Sequence, residues 1–158
     1  MQIILVRHAK AERWQPDQSD FNRVLIQEGI QRLQAKLPTL LDKLSSLQRQ
    51  DSDKLRRITM WVSPSARTME TASIIREILE VADLKECDWI WNQDTAAFVR
   101  SLEELDDDAL IMTVGHQPSL SHWSEIMTGN SIPFRTSGVV SFVKQAGERD
   151  WHVNWELP

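Results

Sequence analysis

The stretch that decides the fold is Ile3-Ile4-Leu5-Val6-Arg7-His8. Four consecutive apolar residues, mostly β-branched, are typical of a strand that is buried on both faces, as in a parallel sheet. An arginine and a histidine follow at the carboxyl end of this strand, where open α/β sheets bind their ligands. The guanidinium fork of Arg7 suits a phosphate, and the imidazole of His8 can act as nucleophile, base or metal ligand. A single pair of this kind more often lies on the surface without a catalytic role, so a catalytic site needs support from other residues.

Composition narrows the class of protein. The chain has 158 residues, of which 41% are hydrophobic and 26% charged, and this predicts one folded domain over residues 1–158. The formal net charge of -5 argues against nonspecific binding of nucleic acid. Cys87 is the only cysteine, so an internal disulfide is impossible and a reducing cytoplasm is expected. The apolar start is too short for a secretory signal, and no run approaches the ~18–20 apolar residues of a membrane span. We therefore expect a cytoplasmic protein that binds neither nucleic acid nor a membrane.

The rest of the chain alternates between strand and helix patterns. An apolar stripe predicts a helix over residues 25–44 that is kinked or split by Pro38. Further strands are predicted at 58–62, 87–91 and 109–114, helices at 64–79, 94–105 and 118–127, and a hairpin at 139–143 and 151–155. This order predicts a three-layer α/β/α domain with a mostly parallel sheet and a C-terminal hairpin. We expect Trp61, Trp89 and Trp91 to lie in the core. We expect Trp14 and Trp123 to lie on the rim of a pocket.

Three of the predicted strands run into polar residues. Arg7-His8 follows the first, Ser63-Pro64-Ser65-Ala66-Arg67 the second, and Gly115-His116 the fourth. The carboxyl ends of parallel strands share one edge of the sheet, so these residues can converge. Arg67 falls in the first turn of a helix, where the macrodipole disfavours a cation by ~0.3–1 kcal/mol and a bound anion reverses the sign. Two arginines and two histidines near helix N-termini therefore predict a pocket for one phosphoryl group.

Taken together, these motifs resemble the three signatures of the histidine phosphatase superfamily, which has the phosphoglycerate-mutase-like fold. Within the superfamily the chain resembles the short SixA-like phosphohistidine phosphatases. Thr136-Ser137-Gly138-Val139-Val140 and Asn154-Trp155 match the pattern of that subgroup. The short length implies that the cap domain inserted in larger members is missing here.

The resemblance implies a role for each of the four central residues. His8 is the nucleophile and takes the phosphoryl group onto an imidazole nitrogen. Arg7 and Arg67 hold the equatorial oxygens and stabilise the developing charge. His116 hydrogen-bonds the phosphoryl group as an imidazolium, and water then releases inorganic phosphate from phospho-His8. No metal or other cofactor is implied, because the arginines and His116 supply the positive charge.

Two further residues are candidates for phosphate binding. Arg23 begins the segment Arg23-Val24-Leu25-Ile26-Gln27-Glu28-Gly29, which resembles an Arg-Pro-Leu-Thr-x-x-Gly pattern of the family but lacks its Pro and Thr. A solvated arginine near a helix start is an equal explanation. Ser137 precedes a predicted strand, and an ordinary turn serine explains it better than a phosphate contact does. Ala9 replaces the glycine that usually follows Arg-His.

The sequence offers no obvious general acid. A departing alkoxide needs a proton, and larger family members carry a dedicated carboxylic acid. The acids nearest the motifs are Glu12, which requires the first loop to fold back, Asp94, and the run Asp106-Asp107-Asp108, which is typical of a solvated turn. A phosphohistidine has a labile P–N bond and needs no strong acid. The predicted function is therefore a phosphatase that removes phosphate from a phosphohistidine on a signalling or phosphotransfer protein.

Three alternatives stay open from the sequence. The first is a phosphatase of small phosphate monoesters with the same site. The second is a non-catalytic domain that binds phosphate or a phosphoprotein. The third is a metal site formed by His8 and His116, which the flanking arginines disfavour because they repel a cation.

Overall fold

A computed structural model describes residues 1–48, 57–79 and 83–158. In these residues six strands are found, over Gln2–Arg7 (β1), Ile58–Val62 (β2), Asp83–Glu86 (β3), Leu110–Gly115 (β4), Val139–Val143 (β5) and His152–Leu157 (β6). The helices run over Gln27–Gln48 (α1), Ala66–Leu79 (α2), Asp88–Trp91 (α3), Thr95–Glu103 (α4) and Ser119–Thr128 (α5). A 3₁₀ turn covers Asp20–Asn22 between β1 and α1.

The strands form one sheet in the order β3-β2-β4-β1-β5-β6. β3, β2, β4 and β1 are parallel, β5 is antiparallel to β1, and β6 is antiparallel to β5. Arg7 lies opposite Gly115, and Val62 lies opposite Val114. The carboxyl ends of β1, β2 and β4 are therefore level with one another, and the residues that follow them open onto one edge of the sheet.

Strand residues alternate between two apolar layers. In β1, Ile4 and Val6 face the layer formed with α1 and α2, whereas Ile3 and Leu5 face the layer formed with α4 and α5. Both faces of the sheet are covered, which explains why β1 is an uninterrupted apolar run. The predicted α/β/α architecture with a mostly parallel sheet and a C-terminal hairpin is confirmed.

The third strand was predicted in the wrong place. β3 lies at Asp83–Glu86, and residues 88–91 form the short helix α3 instead of a strand. β3 pairs only with β2 at the margin of the sheet, so its mostly exposed residues carry no apolar signal. In α3, Ile90 is buried while its neighbours are partly exposed, and a short apolar run of this kind fits a helical turn as well as a strand.

Helix α1 continues through Pro38, so the prediction of a split there is wrong. Leu37 and Leu40 on either side of Pro38 are buried in the core. Burial of this apolar face outweighs the backbone hydrogen bond that proline cannot donate.

Trp61 lies in the core and Trp89 packs against it, as expected, but the other predicted positions of tryptophans are wrong or differ. Trp123 is fully buried against Phe98 instead of lining a pocket, and Trp14 is exposed. Trp91 is partly exposed and lies at the site described below. None of the helices in the described ranges is both long and apolar enough to span a bilayer.

Candidate active site

His8 follows β1 directly and is 8% exposed. Its backbone N–H donates to the carbonyl of Gly115 (3.1 Å), which continues the pairing of β1 with β4. The side-chain Nδ1 lies 2.7 Å from the carbonyl of Ala9, and a carbonyl can only accept, so Nδ1 carries the proton. In the neutral imidazole this leaves a lone pair on Nε2. His8 thus presents an unprotonated, nucleophilic nitrogen to the site.

Arg67 lies in the first turn of α2 and is 4% exposed. Its Nε donates to Nε2 of His8 (3.3 Å), while Nη1 and Nη2 donate to Asp20 at the 3₁₀ turn. The positive end of the α2 dipole lies at the same place, so a cation alone is disfavoured and an anion between Arg67 and His8 is favoured. The indole of Trp91 lies against one face of the guanidinium, with its centroid 5.5 Å from Cζ.

His116 follows β4, and its ring centroid is 5.3 Å from that of His8. Nε2 of His116 forms a 2.7 Å hydrogen bond with the hydroxyl of Ser63 at the end of β2. Nδ1 is buried and has no partner among the described residues. When Ser63 is the donor, Nδ1 carries the proton, and a neutral His116 can then donate a hydrogen bond to a phosphoryl oxygen.

Arg7 completes the basic lining of the site. Its Nη1 donates to the carbonyl of Phe134 (2.7 Å), which fixes the direction of the guanidinium. Its Nε is buried without an acceptor in the described part of the chain. A buried donor of this kind is costly unless something accepts from it, and a phosphoryl oxygen could do so.

The electrostatic environment keeps both histidines neutral. Burial lowers the pKa of His8 to about 4; the hydrogen bond with Ala9 opposes this shift, and the positive charges of Arg67 and Arg7 add to it. Burial, reinforced by the charge of Arg67, lowers the pKa of His116 to about 3. His116 is therefore neutral in the ligand-free protein, and an imidazolium at His116 with a bound phosphoryl group stays a prediction. The physical reason is that a buried cation among arginines is unfavourable until an anion is bound.

Arg23 is brought to the border of the site but held by other groups. Its Nε and Nη2 contact Oδ1 of Asp20 (2.7 and 2.6 Å), and its Nη1 donates to the carbonyl of Glu12 (2.6 Å). Its charge is close enough to lower the pKa of both His8 and His116. Gly29, in the segment that begins at Arg23, packs closely against the backbone of the first loop. A Cβ at this position would lie 2.2 Å from the carbonyl oxygen of Lys10.

Ser137 lies behind His8. Its backbone N–H donates to the carbonyl of His8 (3.2 Å), its own carbonyl accepts from Nζ of Lys36 (3.0 Å), and its φ is 58°. The next residue, Gly138, accepts from the backbone N–H of Arg7 (3.0 Å). The contacts of Ser137 described here all involve its backbone and hold the end of β1 in place.

The acids named from the sequence lie elsewhere or are engaged. Asp94 caps α4 by accepting from the N–H of Ala97 (3.0 Å). Residues 106–108 are exposed and precede β4, at the opposite edge of the sheet from His116. The first loop does fold back, through a bridge between Ala11 and Leu25, but the carboxylate of Glu12 accepts from Gln18 (3.1 Å) within the loop.

Three site residues were missed by sequence reasoning: Asp20, Ser63 and Trp91. The order Asp20-x-x-Arg23 could have suggested an i, i+3 ion pair, and Ser63 was seen only as a helix start. Burial raises the pKa of Asp20, but the hydrogen bond from Arg23 and the charge of Arg67 lower it, and the net result is a pKa below the usual value. Asp20 is therefore an ionised carboxylate, not a proton donor.

Comparison with known proteins places the fold. No protein-family model and no curated protein matches the chain. Among solved structures it is similar to one described as a candidate SixA phosphohistidine phosphatase from Agrobacterium tumefaciens, with a TM-score of 0.79 and 21% identity over 99% of this chain and 97% of the other. A second is the protein histidine phosphatase SixA complexed with tungstate, with a TM-score of 0.73 and 17% identity over 99% of this chain and 96% of the other.

A phosphoglycerate mutase from Plasmodium falciparum is also similar, with a TM-score of 0.66 and 15% identity over 98% of this chain and 88% of the other. The chain therefore has the fold shared by the SixA and phosphoglycerate mutase structures, and it matches the two SixA chains over nearly their full length. The resemblance found in the sequence is confirmed at the level of the fold.

Proposed function

We propose that this protein is a phosphohistidine phosphatase that acts on a phosphohistidine of another protein, with His8 as the covalent carrier. The observation that carries the proposal is the unprotonated Nε2 of His8, which lies 3.3 Å from Nε of Arg67, with a second arginine, Arg7, near enough for its charge to lower the pKa of His8. A nucleophile flanked by phosphate-binding donors is the arrangement that phosphoryl transfer requires.

In the first step the lone pair of His8 Nε2 attacks phosphorus, and the P–N bond of the substrate breaks. The bonding electrons leave with the substrate imidazole, which departs as the neutral ring because its other nitrogen carries a proton. Arg7, Arg67 and neutral His116 supply N–H donors for the three equatorial oxygens. In the second step water attacks phospho-His8, the P–Nε2 bond breaks, and inorganic phosphate leaves with His8 restored.

We favour a phosphohistidine substrate because the carboxylate at the site is not suited to donate a proton to a leaving group. Asp20 is the carboxylate in contact with the site arginines, and its pKa is lowered, so it does not supply the proton that an alkoxide needs. An imidazole leaves readily without one. Fold neighbours named as SixA phosphohistidine phosphatases agree with this choice. The free thiol Cys87 suits a reducing cytoplasm, where we place the protein and its phosphoprotein substrate.

The rival function is hydrolysis of small phosphate monoesters. It is favoured by one observation, namely that a mycobacterial glucosyl-3-phosphoglycerate phosphatase shares the fold, with a TM-score of 0.60. Rates on a phosphohistidine peptide and on a phosphate monoester, measured under the same conditions, separate the two. A large preference for the monoester would overturn the choice of phosphohistidine.

The covalent step is tested by brief incubation with a labelled phosphohistidine substrate. We expect a phosphoenzyme that is labile in acid and stable in base. His8→Ala should abolish the label, whereas His122→Ala, at an exposed histidine, should retain it. Full turnover by His8→Ala would refute the nucleophile assignment. Phosphate binding by the wild type without turnover of any substrate would favour a non-catalytic binding domain.

A further inference from the structure

The guanidinium of Arg67 is held at two edges by different groups. At its end, Nη1 donates to the carbonyl of Asp20 (2.6 Å) and Nη2 donates to Oδ2 of the same residue (3.0 Å). At its side, Nε donates to Nε2 of His8 (3.3 Å). Because Nη2 has two hydrogens, the side edge retains a second N–H beside Nε. Asp20 thus occupies the end edge of the guanidinium, whereas the side edge faces His8, where it would meet a phosphoryl group carried on Nε2.

Asp20 is itself fixed from two directions. Its Oδ1 accepts from Nε of Arg23 (2.7 Å) and pairs with Nη2 of the same guanidinium (2.6 Å). The next residue, Phe21, packs edge-on against the ring of Trp91, with centroids 5.1 Å apart. Trp91 in turn covers one face of Arg67. The 3₁₀ turn that carries Asp20 therefore packs, through Phe21, against the same tryptophan that contacts Arg67.

We propose that Asp20 is the positioning residue of the phosphate site: it fixes Arg67 so that the Nε–Nη2 edge faces His8, and it is held for this task by Arg23. Arg23 then acts on the phosphoryl group through Asp20 and not by direct contact. This deepens the proposed function, and it rests on that function only for the identity of the anion that Arg67 binds.

The opposite role for Asp20, in which it weakens phosphate binding, predicts different affinities for its variants. A carboxylate beside an anion site repels the anion, so Asp20 could act as a competitor whose removal tightens phosphate binding. Two substitutions separate charge from orientation. Asp20→Asn removes the negative charge but keeps an oxygen that can accept from Nη2 of Arg67. Asp20→Ala removes the charge and the side-chain acceptor, and it keeps the backbone carbonyl that accepts from Nη1 of Arg67.

The experiment is calorimetric titration of the full chain with inorganic phosphate. We expect Asp20→Asn to bind phosphate at least as tightly as the wild type, and Asp20→Ala to bind about tenfold more weakly than Asp20→Asn, the size expected when an arginine loses its orienting partner. Equal affinities for the Asn and Ala variants would overturn the positioning role. Thermal unfolding of each variant shows whether it is folded. Glu28→Gln is the matched control, because Glu28 pairs with two cations, Lys10 and Arg32, without touching Arg67.

The role of Arg23 is tested in two backgrounds. We expect Arg23→Gln to weaken phosphate binding in the wild type and to have little further effect in Asp20→Ala. An undiminished effect in Asp20→Ala would show that Arg23 acts on phosphate independently of Asp20, by contact or by its charge, and would overturn the link through Asp20. Phosphate binding needs no turnover, so a wild type that binds phosphate but hydrolyses nothing would refute the proposed function alone. A wild type that binds no phosphate would overturn both.

Discussion

The two buried histidines predict that the protein loses stability between pH 6.5 and pH 5. The ordinary histidine pKa is 6.5, and the folded-state values are about 4 for His8 and about 3 for His116. Between pH 6.5 and pH 5 both histidines become protonated in the unfolded chain, whereas in the folded protein they stay neutral. The free energy of unfolding therefore falls as the pH falls, and it recovers as the pH rises through 6.5.

The magnitude follows from the width of the window. Each pH unit below 6.5 costs ~1.4 kcal/mol for each histidine that stays neutral in the folded state. Because each histidine of the unfolded chain is already half protonated at pH 6.5, lowering the pH from 6.5 to 5 should remove ~1.6 kcal/mol for each of His8 and His116, or ~3 kcal/mol together. The lowered pKa values of Asp20 and Glu28 act in a lower range, because those carboxylates lose their stabilising charge only as the pH falls below ordinary values of 3.8 and 4.5.

The assay is urea unfolding of the wild type at pH 7, 6 and 5, followed by tryptophan fluorescence. His8→Asn and His116→Asn each remove one of the two buried groups, so each variant should show about half of the wild-type pH dependence. His122→Asn is the control, because this histidine is exposed and should leave the dependence unchanged. Equal stability of the wild type at pH 5 and pH 7 would refute the reasoning, and so would an undiminished dependence in both buried-site variants.

Three further predictions concern the scaffold. Asp94→Ala removes the side-chain cap of α4 and should lower the free energy of unfolding by ~1 kcal/mol in urea, whereas exposed Asp107→Ala should change it by less than ~0.5 kcal/mol. Phe98→Ala removes a buried ring stacked 4.5 Å from that of Trp123 and should cost ~3–5 kcal/mol in the same assay; a cost below that of Asp94→Ala would contradict the packing described. Gly29→Ala places a Cβ 2.2 Å from the carbonyl oxygen of Lys10, so the loop after His8 must shift; we expect a lower melting temperature and weaker phosphate binding, and wild-type values for both would refute this account of Gly29.

Much of the architecture could be predicted because its signals are local. The apolar runs of β1 and β4 and the helical stripe of α1 each lie within one short segment. The edge strand β3 could not be predicted, because its exposed residues have neither an apolar run nor alternation. The apolar residues 89–91 gave a false strand signal, since a short run fits a helical turn equally well.

The convergence of the site was predictable for a topological reason. Arg7 is the last residue of β1, and His8, Arg67 and His116 come after β1, β2 and β4. Parallel neighbours bring their carboxyl ends to one edge of the sheet, so this convergence follows without any knowledge of loop paths. The protonation state of His116 was not predictable, because it depends on burial and on charges that come from other elements.

The sequence by itself determined three of the four parallel strands, the C-terminal hairpin and the four residues Arg7, His8, Arg67 and His116 at the carboxyl edge of the sheet, since these follow from apolar runs and from the alternation of strand and helix patterns. Only the tertiary structure decided how those residues are held. Three hydrogen bonds outside the sheet and the helices hold them. They join Arg7 to the carbonyl of Phe134, His116 to the hydroxyl of Ser63, and Arg67 to the carboxylate of Asp20. Such contacts depend on the path of the backbone through loops and turns, where no periodic pattern of side chains specifies the partner.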